Sequence, residues 1–135
     1  MLRITKLTDY AIVILSELAA NYSERLSAAE LAKNTGIHLP TVSKLLKVLQ
    51  QQRLVISHLG AEGGYQLAFP AEQISLAQII EALEGPIAMT QCNLQHGICE
   101  QEHICQVRPH WQRINKVILQ TLNDVWLSEM VGEAV

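Results

Sequence analysis

The chain has 135 residues, of which 49% are hydrophobic, 17% charged and 4% aromatic. This length predicts one domain, or one domain with a dimerisation arm, and the composition excludes a disordered chain. The most apolar stretch, residues 10–20, contains Ser16 and Glu17 and is too short to span a bilayer. We therefore expect a soluble, cytoplasmic protein with no membrane partner.

The formal net charge of −3 is unevenly distributed along the chain. Residues 1–60 carry seven Lys and Arg against four acids, whereas residues 61–135 carry three against nine. Contact with phosphates depends on the local field of one face and not on the charge of the whole chain. The N-terminal half is therefore the part that we expect to contact DNA.

Three helices are predicted in the N-terminal third. Thr8 is positioned to cap a first helix that runs to about Asn21. Ser27-Ala28-Ala29-Glu30 has the capping-box pattern of a second, short helix, and Gly36 is a natural end for it. A third helix over residues 39–52 has an apolar inner face.

The rest of the chain predicts a hairpin and further helices. Residues 54–57 and 65–68 have strand patterns, and the glycine-rich residues 60–64 between them permit a tight turn. A capped helix begins near Ile74 and ends at Gly85-Pro86. Apolar residues recur at helical spacing from Trp111 to about Met130.

This order of elements is typical of a winged helix-turn-helix, a mainly α fold with a small β-hairpin wing. The third helix would present short polar and basic side chains to the major groove, and the wing would lie beside an adjacent groove. The same basic residues could instead form a solvated helix face, and winged helices also serve as protein-binding modules. The predicted contacts to double-stranded DNA are Thr41, Ser43, Lys44 and Lys47 in the helix, and His58, Gly60, Gly63 and Gly64 in the wing.

The three cysteines, Cys92, Cys99 and Cys105, fall within fourteen residues with the spacing C-x6-C-x5-C. An odd number argues against a closed disulfide framework, and the spacing is not the C-x2-C knuckle typical of structural zinc. Wider spacing suits an iron–sulfur cluster, 2Fe–2S or 4Fe–4S, whose usual ligands are thiolates. A thiol-redox switch and a zinc site remain alternatives. Three thiolates leave one position open, for which the neighbouring candidates are His96, Glu100, Glu102, His103 and His110.

No enzymatic signature accompanies these features. The sequence has no nucleophile–base pattern, and residues 60–64 join two strands and do not form the strand-to-helix glycine turn of a nucleotide site. We therefore expect a metal-binding transcription regulator or, as an alternative, a cluster-carrying interaction module with no DNA target.

Taken together, the winged-helix pattern and the three-cysteine pattern resemble the IscR/NsrR family of bacterial transcription regulators. The resemblance covers nearly the whole chain and includes residues 2–11, the wing residues 60–67, residues 79–86, the three cysteines and Trp111. Residues 6–10, 39–46 and 105–108 look most like the regulators of the SUF iron–sulfur assembly operon.

The resemblance implies a homodimeric repressor with crossing C-terminal helices, in which each cluster loop lies near the partner's DNA-binding domain. A symmetric dimer would read a pseudo-palindromic operator. The implied organisation is a DNA-binding domain over residues 1–70, a connecting helix over 71–86, a cluster loop over 87–108 and a long dimerisation helix with a tail over 109–135.

The fourth cluster ligand is implied only by comparison with branches of the family. One branch uses a histidine three residues after the last cysteine, where this chain has Arg108. Another uses an acidic residue near the start of the first helix, supplied by the other subunit, and Asp9 matches that position. The resemblance therefore indicates Asp9 of a partner chain as the fourth ligand, with His110 as its rival.

Overall fold

The computed structural model describes residues 3–94, 97 and 99–131. Seven helices, two strands and a short 3-10 turn follow one another over these residues. In chain order they are α1 (Lys6–Ala20), α2 (Ala28–Thr35), α3 (Leu39–Gln51), β1 (Val55–His58), β2 (Gly64–Leu67), the 3-10 turn (Ala71–Gln73), α4 (Leu76–Glu84), α5 (Gln91–Leu94), α6 (Arg108–Asn123) and α7 (Leu127–Met130).

Helix α1 begins earlier than the sequence predicts. Thr5, in extended conformation, is the N-cap, and its hydroxyl accepts a hydrogen bond from the Thr8 N–H at 3.2 Å. Thr8 itself lies inside the first turn and is fully buried, with its hydroxyl 2.9 Å from that of Thr5. The prediction of Thr8 as the cap is wrong because Thr5 already supplies the oxygen that this helix start requires.

The next helix starts confirm the capping predictions. Ser27 and Glu30 form a reciprocal capping box at α2, and Ser75 forms another with Gln78 at α4. Gly36 ends α2 in the left-handed conformation, with φ of 77°. Such motifs satisfy backbone groups that a helix end leaves unpaired, so these three boundaries are fixed by local chemistry.

One continuous core joins α1, α2, α3, α4 and the hairpin. In α1 the fully buried stripe includes Ala11 and Ile14, while the predicted inner residues Ile12 and Ala19 are half-buried at its edge. The other large side chains with almost no exposure are Leu15, Leu18, Leu31, Val42, Leu45, Leu46, Leu49, Val55, Ile74, Ile79 and Leu127. We call residues 5–84, which supply nearly all of this core, the head.

The two strands form an antiparallel hairpin in which Val55 pairs with Leu67 and His58 with Gly64. The hairpin is confirmed, and each strand is shifted by one residue from its predicted span. We call residues 55–67 the wing. It is joined to the turn before α2, because Leu26 and Tyr65 exchange backbone hydrogen bonds of 3.0 and 2.7 Å.

The C-terminal part differs most from expectation. A helix continuing to Met130 is wrong, because α6 ends at Asn123 and the chain then turns back to the head. The Val125 carbonyl accepts from Leu76 N–H at 2.9 Å, and Leu127 N–H donates to the Ile74 carbonyl at 2.7 Å. Leu127 is fully buried, so this return packs against the head and completes its core. No helix in the described part of the chain is long and apolar enough to cross a membrane.

Candidate DNA-binding surface and cysteine segment

Helix α3 has one face in the core and one in solvent. Leu45, Leu46 and Leu49 are buried, whereas Ser43, Lys44 and Lys47 are exposed and Thr41 is half-buried. Pro40 occupies the first turn, where its missing N–H costs nothing. Three of the four predicted helix contacts therefore lie on the solvent side of one helix, with Thr41 at its edge, which suits insertion into a groove.

The wing glycines are constrained for two different reasons. A Cβ at Gly63 would collide with the His58 carbonyl oxygen, so the turn is too tight for any side chain. Gly64 has φ of 143°, and a Cβ there would lie 2.9 Å from the Leu26 carbonyl oxygen. The first glycine closes the turn and the second allows β2 to approach the segment before α2, so both hold the wing in place beside the head.

The predicted wing contact His58 is already engaged within the wing. Its Nε2 lies 2.6 Å from Gln66 Oε1, and the residue is half-buried. This hydrogen bond crosses between the strands and stiffens the hairpin. Gly60, by contrast, is exposed at the turn, and a Cβ there would meet no atom within 4 Å.

A groove of 600 Å³ lies between the start of α1 and the turn that precedes α3. It is lined by residues that our DNA-contact prediction omits, including Lys6, Tyr10 and His38, together with the predicted contact Thr41. The Lys6 ammonium lies 5.7 Å from the Tyr10 ring centroid, a cation–π distance. The spacing of four residues between them is the sequence signal for this pair.

The three cysteines are all free thiols and all half-buried. Cys92 lies on α5 with its Sγ 3.0 Å from Thr90 Oγ1, while Cys99 and Cys105 lie in the turns between α5 and α6. Across the described residues, no three His, Cys, Asp or Glu side chains are close enough together to hold a metal ion. One chain in this conformation thus presents the thiols in one segment without a closed ligand set.

Two contacts connect residues 87–108, which we call the cysteine segment, to helix α6. The Met89 N–H donates to Asn115 Oδ1 at 2.7 Å. Glu102, which is 8% exposed, forms an ion pair of 2.9 Å with Arg108 and accepts a hydrogen bond of 2.6 Å from the Gly97 N–H. The segment is therefore anchored near both its ends to the helix that follows it.

The candidate fourth ligands lie at different places. Asp9 is exposed on α1 in a groove that it shares with Met130 of α7. His103 and His110 are exposed, and Glu100 is exposed in the turn after Cys99. His96 lies outside the described residues.

The family assignment rests on a match along almost the full chain. A family model described as Rrf2, an iron-dependent transcriptional regulator, matches residues 4–133. The chain belongs to the Rrf2 family. Relatives include the protein rrf2 of Nitratidesulfovibrio vulgaris, 31% identical over 134 residues that span 98% of this chain and 89% of the relative. The regulator IscR of Sodalis glossinidius is 28% identical over 132 residues, or 97% of this chain and 79% of that one.

Solved structures of the Rrf2 type give the same fold. CymR, the global cysteine regulator of B. subtilis, matches with a TM-score of 0.78 at 27% identity, covering 97% of both chains. T. potens IscR matches with a TM-score of 0.72 at 26% identity, covering 96% of this chain and 86% of that one. These matches confirm the winged-helix fold and the IscR/NsrR-type family expected from the sequence.

As an Rrf2-family member, the chain is a DNA-binding transcription regulator and not an enzyme. The likeness to these regulators extends over the head, the cysteine segment and α6, because the matches cover 96% or more of this chain.

Proposed function

We propose that this regulator senses an iron–sulfur cluster held by Cys92, Cys99 and Cys105. The observation that carries the proposal is the presence of three free, half-buried thiols in one segment that is hydrogen-bonded to α6. A half-buried thiol is exposed enough to bind a ligand, and the bound ligand would then shield the thiol from bulk solvent. The iron-dependent description of the family supports this assignment.

The donor set fits such a cluster by its chemistry. Thiolates are the usual protein ligands of iron–sulfur clusters, and no described cysteine is in a disulfide. All three thiols lie within residues 87–108 of one chain, so a cluster can be held by this segment. We therefore assign to residues 87–108 two states, one without a cluster and one with the three thiols bound to it.

The chain itself transmits this change to the head. When bound, an iron–sulfur cluster supplies sensitivity to oxidants and to iron supply. The cysteine segment is linked to α6 through Met89 and Asn115, and α6 lies against α4 of the head. A shift of α6 would alter the tilt or spacing of two α3 helices in a dimer. A coupling free energy of about 1–3 kcal/mol is typical for such a mechanism.

We further propose that the active species is a homodimer assembled through α6. This 16-residue helix has no buried residue in one chain, and it exposes Trp111, Ile114 and Val117. An exposed apolar face of this kind is typical of a protein–protein contact site. A two-fold dimer would read two half-sites of a pseudo-palindrome about one helical turn apart.

The dimer also offers a place for the fourth ligand. Asp9 is exposed, so a second chain can approach it. Within one chain, Asp9 is not part of any group of described residues that could hold a metal ion. We propose that Asp9 from the partner completes the site of the three thiols, with His110 as the rival ligand. For target genes we propose the SUF iron–sulfur assembly operon, so that cluster supply would feed back on cluster assembly in the cytoplasm.

Anaerobic native mass spectrometry of protein reconstituted with iron and sulfide tests these proposals together. We expect a dimer carrying iron and inorganic sulfide, and loss of both when Cys92, Cys99 or Cys105 is replaced by serine. A matched control is Ser128→Ala, remote from the segment. Wild-type protein that stays colourless and free of iron would refute the cluster.

The fourth ligand is tested in the same material. Asp9→Ala should weaken cluster retention and change its visible spectrum, whereas His110→Ala should leave both unchanged. The reverse result would assign the ligand to His110. Equal spectra and equal retention in wild type and both variants would exclude both residues.

A thiol-redox switch is the second candidate, and the observation that favours it is that all three cysteines are free, half-buried thiols in one segment. It predicts colourless protein whose operator affinity changes on oxidation of the thiols and returns on reduction. Gel shifts with the gene's own upstream DNA, with and without cluster and with oxidised thiols, separate the two. Absence of salt-sensitive binding in every state would instead support an interaction module without a DNA target.

A further inference from the structure

Glu102 is a buried acid in a largely exposed segment. The residue is 8% exposed, whereas its neighbours Gln101 and His103 are exposed. Removing a carboxylate from water is costly unless an opposite charge and hydrogen-bond donors compensate it. The burial of Glu102 therefore calls for specific partners.

Those partners come from two separated parts of the chain. Glu102 Oε1 lies 2.9 Å from Arg108 Nη2, and Glu102 Oε2 accepts from the Gly97 N–H at 2.6 Å. The Glu102 N–H also donates to the Cys99 carbonyl at 3.2 Å. The exposed fractions of the Arg108 and Glu102 side chains are 24% and 6%, so both charges are largely shielded from solvent.

The two partners of Glu102, Gly97 and Arg108, lie on either side of Cys99 and Cys105 in the sequence. Gly97 lies between Cys92 and Cys99, and Arg108 is the first residue of α6, three residues after Cys105. One carboxylate thus joins the two ends of a stretch that contains Cys99 and Cys105. This carboxylate therefore holds the stretch against the start of α6.

We propose that Glu102 and Arg108 are positioning residues that clasp the Cys99–Cys105 loop onto α6 before a ligand binds. The inference rests on the proposed function insofar as these thiols are cluster ligands. Pre-forming the loop lowers the entropy that ligand binding must otherwise remove. The clasp also couples the positions of Cys99 and Cys105, two of the proposed ligands, to α6, the helix that would transmit the conformational change to the head.

This role also accounts for Arg108. A guanidinium has five N–H donors and no acceptor, so it is not a normal metal ligand. Its forked donors are instead well suited to a carboxylate. The clasp therefore uses Glu102 as an anchor for the loop and not as an iron ligand.

Peptide-resolved alkylation of the metal-free, reduced protein tests the clasp directly. We expect Glu102→Gln and Arg108→Gln to raise the iodoacetamide rates of Cys99 and Cys105 about tenfold, because the loop opens more often. Cys92, on α5 and outside the clasped stretch, is the internal reference and should keep its rate. Glu81→Gln and Arg113→Gln, which alter exposed residues of α4 and α6, are the matched controls.

Two further variants keep the test decisive if a neutral substitution unfolds the chain. Arg108→Lys retains the charge and should give an intermediate rate, and the pair Glu102→Arg with Arg108→Glu should restore slow alkylation in part. Unchanged rates at Cys99 and Cys105 in the single variants, or faster alkylation of the swapped pair than of either single variant, would overturn the clasp.

Iron and sulfide loading distinguishes the clasp from a ligand role. With a clasp, Glu102→Gln and Arg108→Gln should both reduce loading, and by a similar factor. Loss of loading in Glu102→Gln alone, with normal alkylation rates, would make Glu102 a ligand and refute the proposal. Failure of wild-type protein to bind iron would refute the proposed function. It would not affect the test of the clasp, because alkylation is measured on metal-free protein.

Discussion

The head and helix α6 show two opposite ways of using apolar residues. The head buries Leu31, Leu46 and Ile79 completely, and local side chains cap the starts of α1, α2 and α4. Helix α6 is longer than any head helix, yet none of its residues is buried and Trp111 and Val117 remain exposed. The head is complete within one chain, whereas α6 has an apolar face that one chain does not cover.

From this difference we expect the head and α6 to have different roles. A packed head keeps α3 and the wing in a fixed relation, which DNA recognition requires. A helix held by few internal contacts can change its position at low cost, which a sensor requires. Substitutions that act on one part and not on the other therefore test this comparison.

The largest expected effect is on the head core. Leu46→Ala should lower the free energy of unfolding by about 3 kcal/mol, since it leaves a cavity in a fully packed site. Chemical denaturation measures this change. Leu59→Ala is the matched control, because Leu59 at the wing tip is 97% exposed and should change stability by less than about 0.5 kcal/mol. Equal effects of the two substitutions would contradict the proposed core.

A smaller effect is expected where the wing meets the head. Gly64→Ala should destabilise the protein by about 2 kcal/mol, because its Cβ meets the Leu26 backbone and its φ is positive. Gly60→Ala, with a positive φ but open space around it, should cost about 1 kcal/mol. Thermal unfolding compares the two. A larger loss for Gly60→Ala would show that the wing is not held against Leu26.

On the DNA side, Lys44→Gln and Lys47→Gln should each weaken operator binding by about 1 kcal/mol and reduce the salt dependence by about one phosphate contact. Fluorescence anisotropy over a range of salt concentrations gives both quantities. Lys116→Gln, an exposed lysine of α6, removes the same charge from the other part of the molecule and should leave the salt slope unchanged. A change with Lys116→Gln alone would move the DNA-binding surface to α6.

The smallest effect on folding is expected in α6. Val117→Ser changes a side chain that is 61% exposed, so the dilute single chain should lose less than about 0.5 kcal/mol of unfolding free energy. The same substitution should weaken the dimer measurably by sedimentation equilibrium. Ile56→Ser, an exposed apolar residue of the wing, should not. Unchanged dimerisation in Val117→Ser would remove α6 from the interface.

Features that depend only on neighbouring residues could be predicted before the structure was known. The capping boxes at Ser27 and Ser75, the end of α2 at Gly36 and the hairpin with its glycine turn all follow from chemistry within a few residues. The order of these elements was enough to predict the winged-helix fold, which the comparisons confirm. The spacing of the cysteines likewise predicted a metal-binding or redox segment, which stays a prediction.

Features that depend on contacts between residues far apart in the chain could be seen only in the folded structure. Periodicity continues from Trp111 to Trp126, but α6 ends at Asn123 because backbone hydrogen bonds to Ile74 and Leu76 draw the next residues back to the head. The Asn115–Met89 hydrogen bond spans 26 residues, and no local pattern could reveal it. Glu102 gives the same signal in sequence as any surface acid, and only its burial beside Arg108 distinguishes it. Local chemistry fixes the capped boundaries of α2 and α4, whereas packing between distant residues fixes where α6 stops and which charges are removed from water.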